Sequence, residues 1–377
     1  MIAVAGIVTF AFLGAIQALY GPLLPGLRHV FAVDTGTVGL VFAAHGLGAL
    51  VGILVPSFVQ APALAERWLS IATGLLLTGA AAMSIAPTWP ALLAAVFVLA
   101  MGFGIHVVRL NGLFVAGFGT RGMAMSLLIN AAFSVGAILG PVAVAASGEP
   151  SRRLFGGVAA LALALLPLAV GADRRGRAVA SSALSHGPNS ASHAATRLRS
   201  RALLGAFVAL MCLTSGTENS IGGWTATLAL ADGHTFSSAA QLTALFFGCI
   251  FAGRLAAAGF GHRVKPAFLV LAGIGCLAAA LSIASVTHNA AIALALSGFA
   301  IAPVFSATLV WLGASLPTSA RANAFVIAGA LLGAASFPPL VGRVIGQFGV
   351  SAAPPAILCI ALAALAVAVA IYVARRP

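Results

Sequence analysis

The sequence predicts an all-α membrane protein, with 12 transmembrane helices arranged as two pseudo-symmetric six-helix bundles. Three observations carry that expectation. Of the 377 residues, 61% are hydrophobic and only 7% charged, with a mean hydropathy of +1.12, outside the range of soluble domains. The apolar runs are near twenty residues long, the length an α-helix needs to cross a bilayer, and they lack the short alternating pattern of barrel strands. One long polar stretch, 172–201, parts these runs into two sets of six.

Breaks at proline, glycine and charge clusters place the segments near 3–24, 36–57, 69–87, 91–114, 122–145 and 154–171 in the first half. Those of the second half fall near 202–229, 239–258, 266–286, 290–313, 323–341 and 353–373. The N-terminus, Met-Ile-Ala-Val-Ala-Gly, lacks the basic region of a signal peptide and stays apolar to about Leu24, so the first segment is expected to be a retained helix. Residues 1–171 and 202–377 are therefore expected to form the two bundles. Residues 172–201, with Arg174, Arg175, Arg177, Arg197, Arg199 and Arg201 against Asp173, read as a flexible cytoplasmic basic linker beside anionic lipid.

The net charge of +13 follows from topology and does not call for a nucleic-acid partner. With both termini in the cytoplasm, thirteen basic residues fall on that side: Arg67, Arg121, the six linker arginines, Arg263, Lys265, Arg321, Arg375 and Arg376. Only Arg28, Arg152, Arg153 and Arg343 fall on the other, which is the positive-inside bias of a multi-pass cell-membrane protein. Cys212, Cys249, Cys276 and Cys359 lie singly in apolar segments, so neither a zinc site nor a disulfide framework is expected.

The halves share landmarks. Arg121-x-x-Ala-Met opens the fifth segment and Arg321-x-x-Ala-Phe the eleventh, while Gly136-Ala-Ile-Leu-Gly140-Pro141 is echoed by Gly333-Ala-Ala-Ser-Phe-Pro338. A duplicated six-helix half is the signature of secondary transporters that alternate access by rocking one repeat against the other. The small-residue pairs Gly48-x-x-x-Gly52, Gly136-x-x-x-Gly140 and Gly329-x-x-x-Gly333 predict close helix contacts. Pro141 adds a bend where two halves could hinge.

These features resemble the major facilitator superfamily over essentially the whole chain. Gly253-Arg254-Leu-Ala-Ala-Ala-Gly259-Phe-Gly-His-Arg263-Val looks like its G-R-L-x-x-x-x-G-x-R loop signature, and Gly136 to Pro141 is similar to its fifth-helix glycine-proline motif. Glu218-Asn-Ser-Ile-Gly-Gly-Trp224 and Ser336-Phe-Pro-Pro-Leu-Val-Gly342 look most like the fucose permease group. The resemblance implies a twelve-helix transporter, with Gly136, Gly140, Pro141, Gly253, Arg254, Gly259 and Arg263 as conformational-motif residues. The chain departs from the pattern after the second helix, where Pro56 stands four residues beyond Gly52 in place of an aspartate. Val98, four residues before Gly102, replaces the basic residue common in drug–proton antiporters of the superfamily.

Polar residues inside the spans are the candidate substrate-binding or coupling groups. Glu218 is the one acid within a spanning segment, and a mid-bilayer charge costs roughly 2.5–3.5 kcal/mol on insertion scales. Thr214, Ser215, Glu218, Asn219 and Gly222 recur at helical spacing and form one polar stripe. Gly222-Gly223 is expected to loosen the helix beyond it, and Trp224 to close over a ligand. The competing reading of Glu218 is a structural acid at a helix contact. In the fourth segment His106 and Arg109 share a face; Arg109 suits a carboxylate ligand or snorkels to the cytoplasmic end. His45 sits midway along the second segment as a proton-binding, gating or packing histidine. Asn130 with Ser134, and Gln17 with Tyr20, read either as polyol-binding pairs or as interhelical glue.

No nucleophile elbow, metalloprotease motif or phosphate loop is present, so an enzyme and ATP drive are not expected. The reading is a secondary active transporter of a small organic solute. It needs no cofactor or metal, is driven by a proton or other ion gradient, and acts as a monomer whose partners are solute and lipid. The alternatives are efflux of amphipathic compounds and a non-transporting membrane receptor or enzyme.

Overall fold

The computed structural model describes residues 2–59, 67–118, 121–147, 153–180, 194–260, 263–287, 290–316 and 320–375. In chain order the helices are α1 (Ile2–Phe31), α2 (Thr35–Val38), α3 (Leu40–Phe58), α4 (Trp68–Ile85), α5 (Trp89–Gly117), α6 (Gly122–Ser147) and α7 (Arg153–Ala180). They continue as α8 (Ala194–Ala231), α9 (Phe236–Phe260), α10 (Pro266–Val286), α11 (Ala290–Ile301), α12 (Val304–Ser315), α13 (Ala320–Phe348) and α14 (Ala353–Ala374). Among the described residues, twelve spans are long and apolar enough to cross a membrane.

The helices outrun the expected segments where breakers fail to break. α1 continues through Pro22 and Pro25 to Phe31, because a chain in hydrocarbon has no water to take up the groups that an opened helix would free. The expected flexible linker is helical at both ends, α7 reaching Ala180 and α8 starting at Ala194; residues 181–193 lie outside the described ones. Extending an existing helix through Ala- and Arg-rich sequence carries no nucleation cost. The tenth span has the opposite surprise, since Pro303 divides Ala290–Ser315 into α11 and α12.

The chain forms two compact units, one of Met1–Val33 with Leu40–Pro188 and one of Asp34–Gly39 with Asn189–Pro377. In the first, α1 packs on α6, α3 on α5, and α4 on both α5 and α7. In the second the same pairings recur: α8 on α13, α9 on α11, and α10 on both α11 and α14.

The seams are built the same way too. A Cβ on Gly136 would lie 1.7 Å from the Ala11 carbonyl oxygen and one on Gly140 2.5 Å from that of Ala15. In the second unit a Cβ on Gly333 would lie 1.8 Å from the Cys212 oxygen and one on Gly329 2.7 Å from that of Val208. Each glycine pair thus rides on carbonyls one turn apart on its partner, the contact that small residues permit between membrane helices.

The short α2 belongs to the second unit. Asp34 caps it, accepting from the Thr37 amide at 2.9 Å and from the Thr37 hydroxyl, and these bonds hold its carboxyl below the usual range. Beside it Trp224 of α8 is 1% exposed and donates its indole N–H to the Pro338 carbonyl of α13 at 2.9 Å. A Cβ on Gly342 would lie 2.6 Å from this ring. Trp224→Phe is expected to lower stability by about 1 kcal/mol for the hydrogen bond alone, more with the void it leaves, read as a lower melting temperature.

Candidate functional site

Glu218 lies near the middle of the span Arg201–Ala231, and Arg254 within the span Phe236–Gly259. Arg254 Nη2 is 3.9 Å from Glu218 Oε1, with the two side chains 36% and 24% exposed. Sequence reasoning places Arg254 in a loop signature, as a conformational-motif residue. The helix instead runs on to Phe260, more than a turn further, and this places the guanidinium inside the bilayer segment. An acid and a base at this depth neutralise each other, which removes most of the cost that either would bear alone. The separation exceeds the 2.7–2.9 Å typical of a charge-assisted hydrogen bond. The pair is therefore loose and partly open. The signal available in the sequence was that Arg254 is the one basic residue of α9.

Other polar side chains of α8 bond back to their own helix. Thr214 Oγ1 donates to the Leu210 carbonyl at 2.9 Å, Thr217 Oγ1 to Leu213 at 2.8 Å and Asn219 Nδ2 to Ser215 at 2.9 Å. The expected loosening at Gly222-Gly223 does not occur, since α8 is continuous to Ala231. Gly222 instead admits the Phe247 ring, 3.1 Å from where its Cβ would be. Trp224, expected to close over a ligand, is in this conformation a packing residue on α13.

In the first unit His45 is 8% exposed, with Nδ1 3.1 Å from the Tyr20 hydroxyl and its ring edge-on to Phe103 at 4.9 Å. Tyr20 thus serves His45, whereas the sequence had paired it with Gln17, which is half-buried one turn earlier. His106 is 2% exposed and bonded to Thr73 on α4 at 3.0 Å. Arg109, three residues on, is half-buried. Asn130 is exposed on α6 and donates to Asn111 Oδ1 on α5 at 3.3 Å, an interhelical bond of the kind foreseen as glue. Thr73 and Tyr20 were missed as histidine partners because nothing in one sequence pairs α4 with α5 or α1 with α3.

The motif glycines divide. Gly136, Gly140 and Gly253 are contact points, a Cβ on Gly253 lying 2.7 Å from the Phe299 oxygen, and Pro141 is buried beside Gly140. Gly52 plays the matching part in the first unit, where a Cβ would lie 2.1 Å from the Met101 oxygen, although the aspartate of the pattern is absent. Nothing lies within 4 Å at Gly259, and Arg263 is exposed beyond α9.

The sequence profile of the Major Facilitator Superfamily matches residues 6–317. The chain belongs to this superfamily. It is accordingly a secondary active transporter of small organic solutes and not an enzyme. No curated protein matches it by sequence. Its fold is similar to that of a D-xylose–proton symporter, at 14% identity over 97% of this chain and 96% of that one, with a TM-score of 0.76. The xylose transporter XylE from E. coli in a partially occluded inward-open conformation aligns at 13% identity over 97% of each chain, TM-score 0.72. The nucleoside transporter NupG aligns at 15% identity over 99% of this chain and 97% of that one, TM-score 0.72.

Proposed function

We propose that this protein is a proton-coupled transporter in which Glu218 is the coupling or substrate-binding acid and Arg254 its counter-ion. The observation that carries the reading is the loose Glu218–Arg254 pair inside two adjacent spans. A carboxylate held near a cation, yet not locked to it, can exchange that partner for a proton or a ligand group. Two of the fold neighbours are a xylose–proton symporter and a nucleoside transporter, which favours a hydroxyl-rich solute as substrate. The Glu218 to Trp224 and Ser336 to Gly342 stretches favour kinship with the fucose permease group. Both termini face the cytoplasm on this reading, the protein works as a monomer, and the ion gradient replaces any cofactor.

Proteoliposomes with an imposed pH gradient, offered a panel of sugars, nucleosides, carboxylates and amphipathic dyes, test the proposal. Accumulation of a sugar or nucleoside that collapses with a protonophore is the expected result. Gradient-driven extrusion of dyes alone would favour efflux, and flux of the solute indifferent to the pH gradient would remove proton coupling.

A further inference from the structure

The protons around buried His106 can be counted. Its Nε2 lies 3.0 Å from Thr73 Oγ1, and that oxygen lies 2.9 Å from the Leu69 carbonyl one turn back. A threonine hydroxyl has one hydrogen and a carbonyl has none, so the Thr73 hydrogen goes to Leu69. With that hydrogen on Leu69, Thr73 accepts from the imidazole, and Nε2 carries the ring hydrogen. This arrangement assigns neutral His106 to the Nε2–H tautomer, with its lone pair on Nδ1, a buried atom without a hydrogen-bond partner among the described residues.

The bonds continue outward in the same sense. The Leu69 carbonyl and the Ser70 N–H are the two ends of one peptide group, and that N–H donates to Asp173 Oδ2 at 2.8 Å. The Ser70 hydroxyl meets the same oxygen at 2.6 Å, and the Leu69 N–H meets Oδ1 at 3.1 Å. From the imidazole, through a hydroxyl and a peptide, every donor points toward a carboxylate capping the N-terminus of α4. Aligned hydrogen bonds polarise one another. A hydrogen-bond chain that ends on an anion acts in favour of positive charge at its other end.

Among the elements packed on α5, most of the charge is on α7. α4 and α6 carry no titratable residue along their lengths, although Arg67 caps α4 and Arg121 precedes α6. α3 offers His45, on the far side of Phe103; α1 offers Tyr20, Arg28 and His29; α7 carries Arg153, Asp173, Arg174, Arg175 and Arg177; and Arg109 lies on α5 itself.

We infer that Nδ1 of His106 is a proton-binding site of the first unit, and that Asp173, acting through the 69–70 peptide and Thr73, is the positioning residue that orients the ring and favours its protonated form. The site lies apart from Glu218, and a Glu218→Gln protein unchanged in transport would leave it standing.

The test is nitrogen NMR of the full-length protein carrying 15N-histidine, with His106→Gln used to assign the signal. Above the histidine range the Nε2–H tautomer is expected, and on acidification both nitrogens should become protonated. Asp173→Asn should weaken proton binding several-fold with the other histidine signals in place, and Asp173→Glu should restore it in part. Thr73→Val should release the tautomer into a mixture. An Nδ1–H tautomer in the native protein, or a ring that stays neutral throughout the folded pH range, would overturn the inference. So would a titration unmoved by Asp173→Asn. Should the variants not fold, the native tautomer and titration decide it alone.

Discussion

Glu218→Gln is expected to abolish proton-driven accumulation while leaving counterflow of the same solute measurable. Glutamine keeps the size and hydrogen-bonding capacity of the acid but cannot take up or release a proton. Accumulation against a gradient requires that protonation change, whereas exchange of solute for solute does not. The substitution also takes from Arg254 the carboxylate 3.9 Å from its guanidinium. Removing one charge of a pair within adjacent spans leaves the other less well compensated, so the single variant should also melt earlier. Glu218→Gln with Arg254→Gln removes both charges and should recover the melting temperature without recovering accumulation. That pattern separates coupling from stability. Uptake and its pH dependence unchanged in the single variant would end the case for Glu218.

The second large effect is structural. Gly136→Ala puts a methyl where the Ala11 oxygen lies 1.7 Å away, and Gly333→Ala does the same against Cys212 at 1.8 Å. A carbon approaches a carbonyl oxygen to about 3.3 Å, so each seam must open by more than about 1 Å. Neither neighbour can swing aside, because both are backbone. The expected loss is about 3 kcal/mol or more, exceeding ordinary overpacking, since packing is the chief force that holds membrane helices together. Gly275→Ala on α10, where nothing lies within 4 Å, is the control and should be neutral or gain up to about 1 kcal/mol in helix propensity. Melting temperatures in one detergent decide the matter. Equal values for Gly136→Ala and Gly275→Ala would show that the seam is not as tight as its geometry.

The architecture was legible because hydropathy, charge bias and the echoed Arg121 and Arg321 motifs all report on one chain at a time. Twelve runs, a basic divide and the paired glycine motifs lead to the fold without any contact being known. The site was only half legible. Glu218 stands out as an acid in an apolar run, but its partner does not, because Arg254 sits inside a motif whose usual place is a loop. His106 and His45 were visible as buried imidazoles, while Thr73, Asp173 and Tyr20, which determine what those rings can do, come from other helices. The packing of Trp224 and the unbroken helix at Gly222-Gly223 went unforeseen for one cause. Small or aromatic residues beside a polar stripe suggest a site, yet here they serve packing on α13 and admission of Phe247.

The glycine seams also set an order of events during synthesis. The carbonyl of Ala11 finds its cover only when Gly136 has been made, a delay on the order of ten seconds at about 5–20 residues per second. Until then α1 must stay in the bilayer, or be held by the insertion machinery, with its contact face bare. The carbonyl of Cys212 waits for Gly333 in the same way. Each half is thus closed by its fifth span, and the ribosome delivers two successive assemblies, each with its first helix held in reserve.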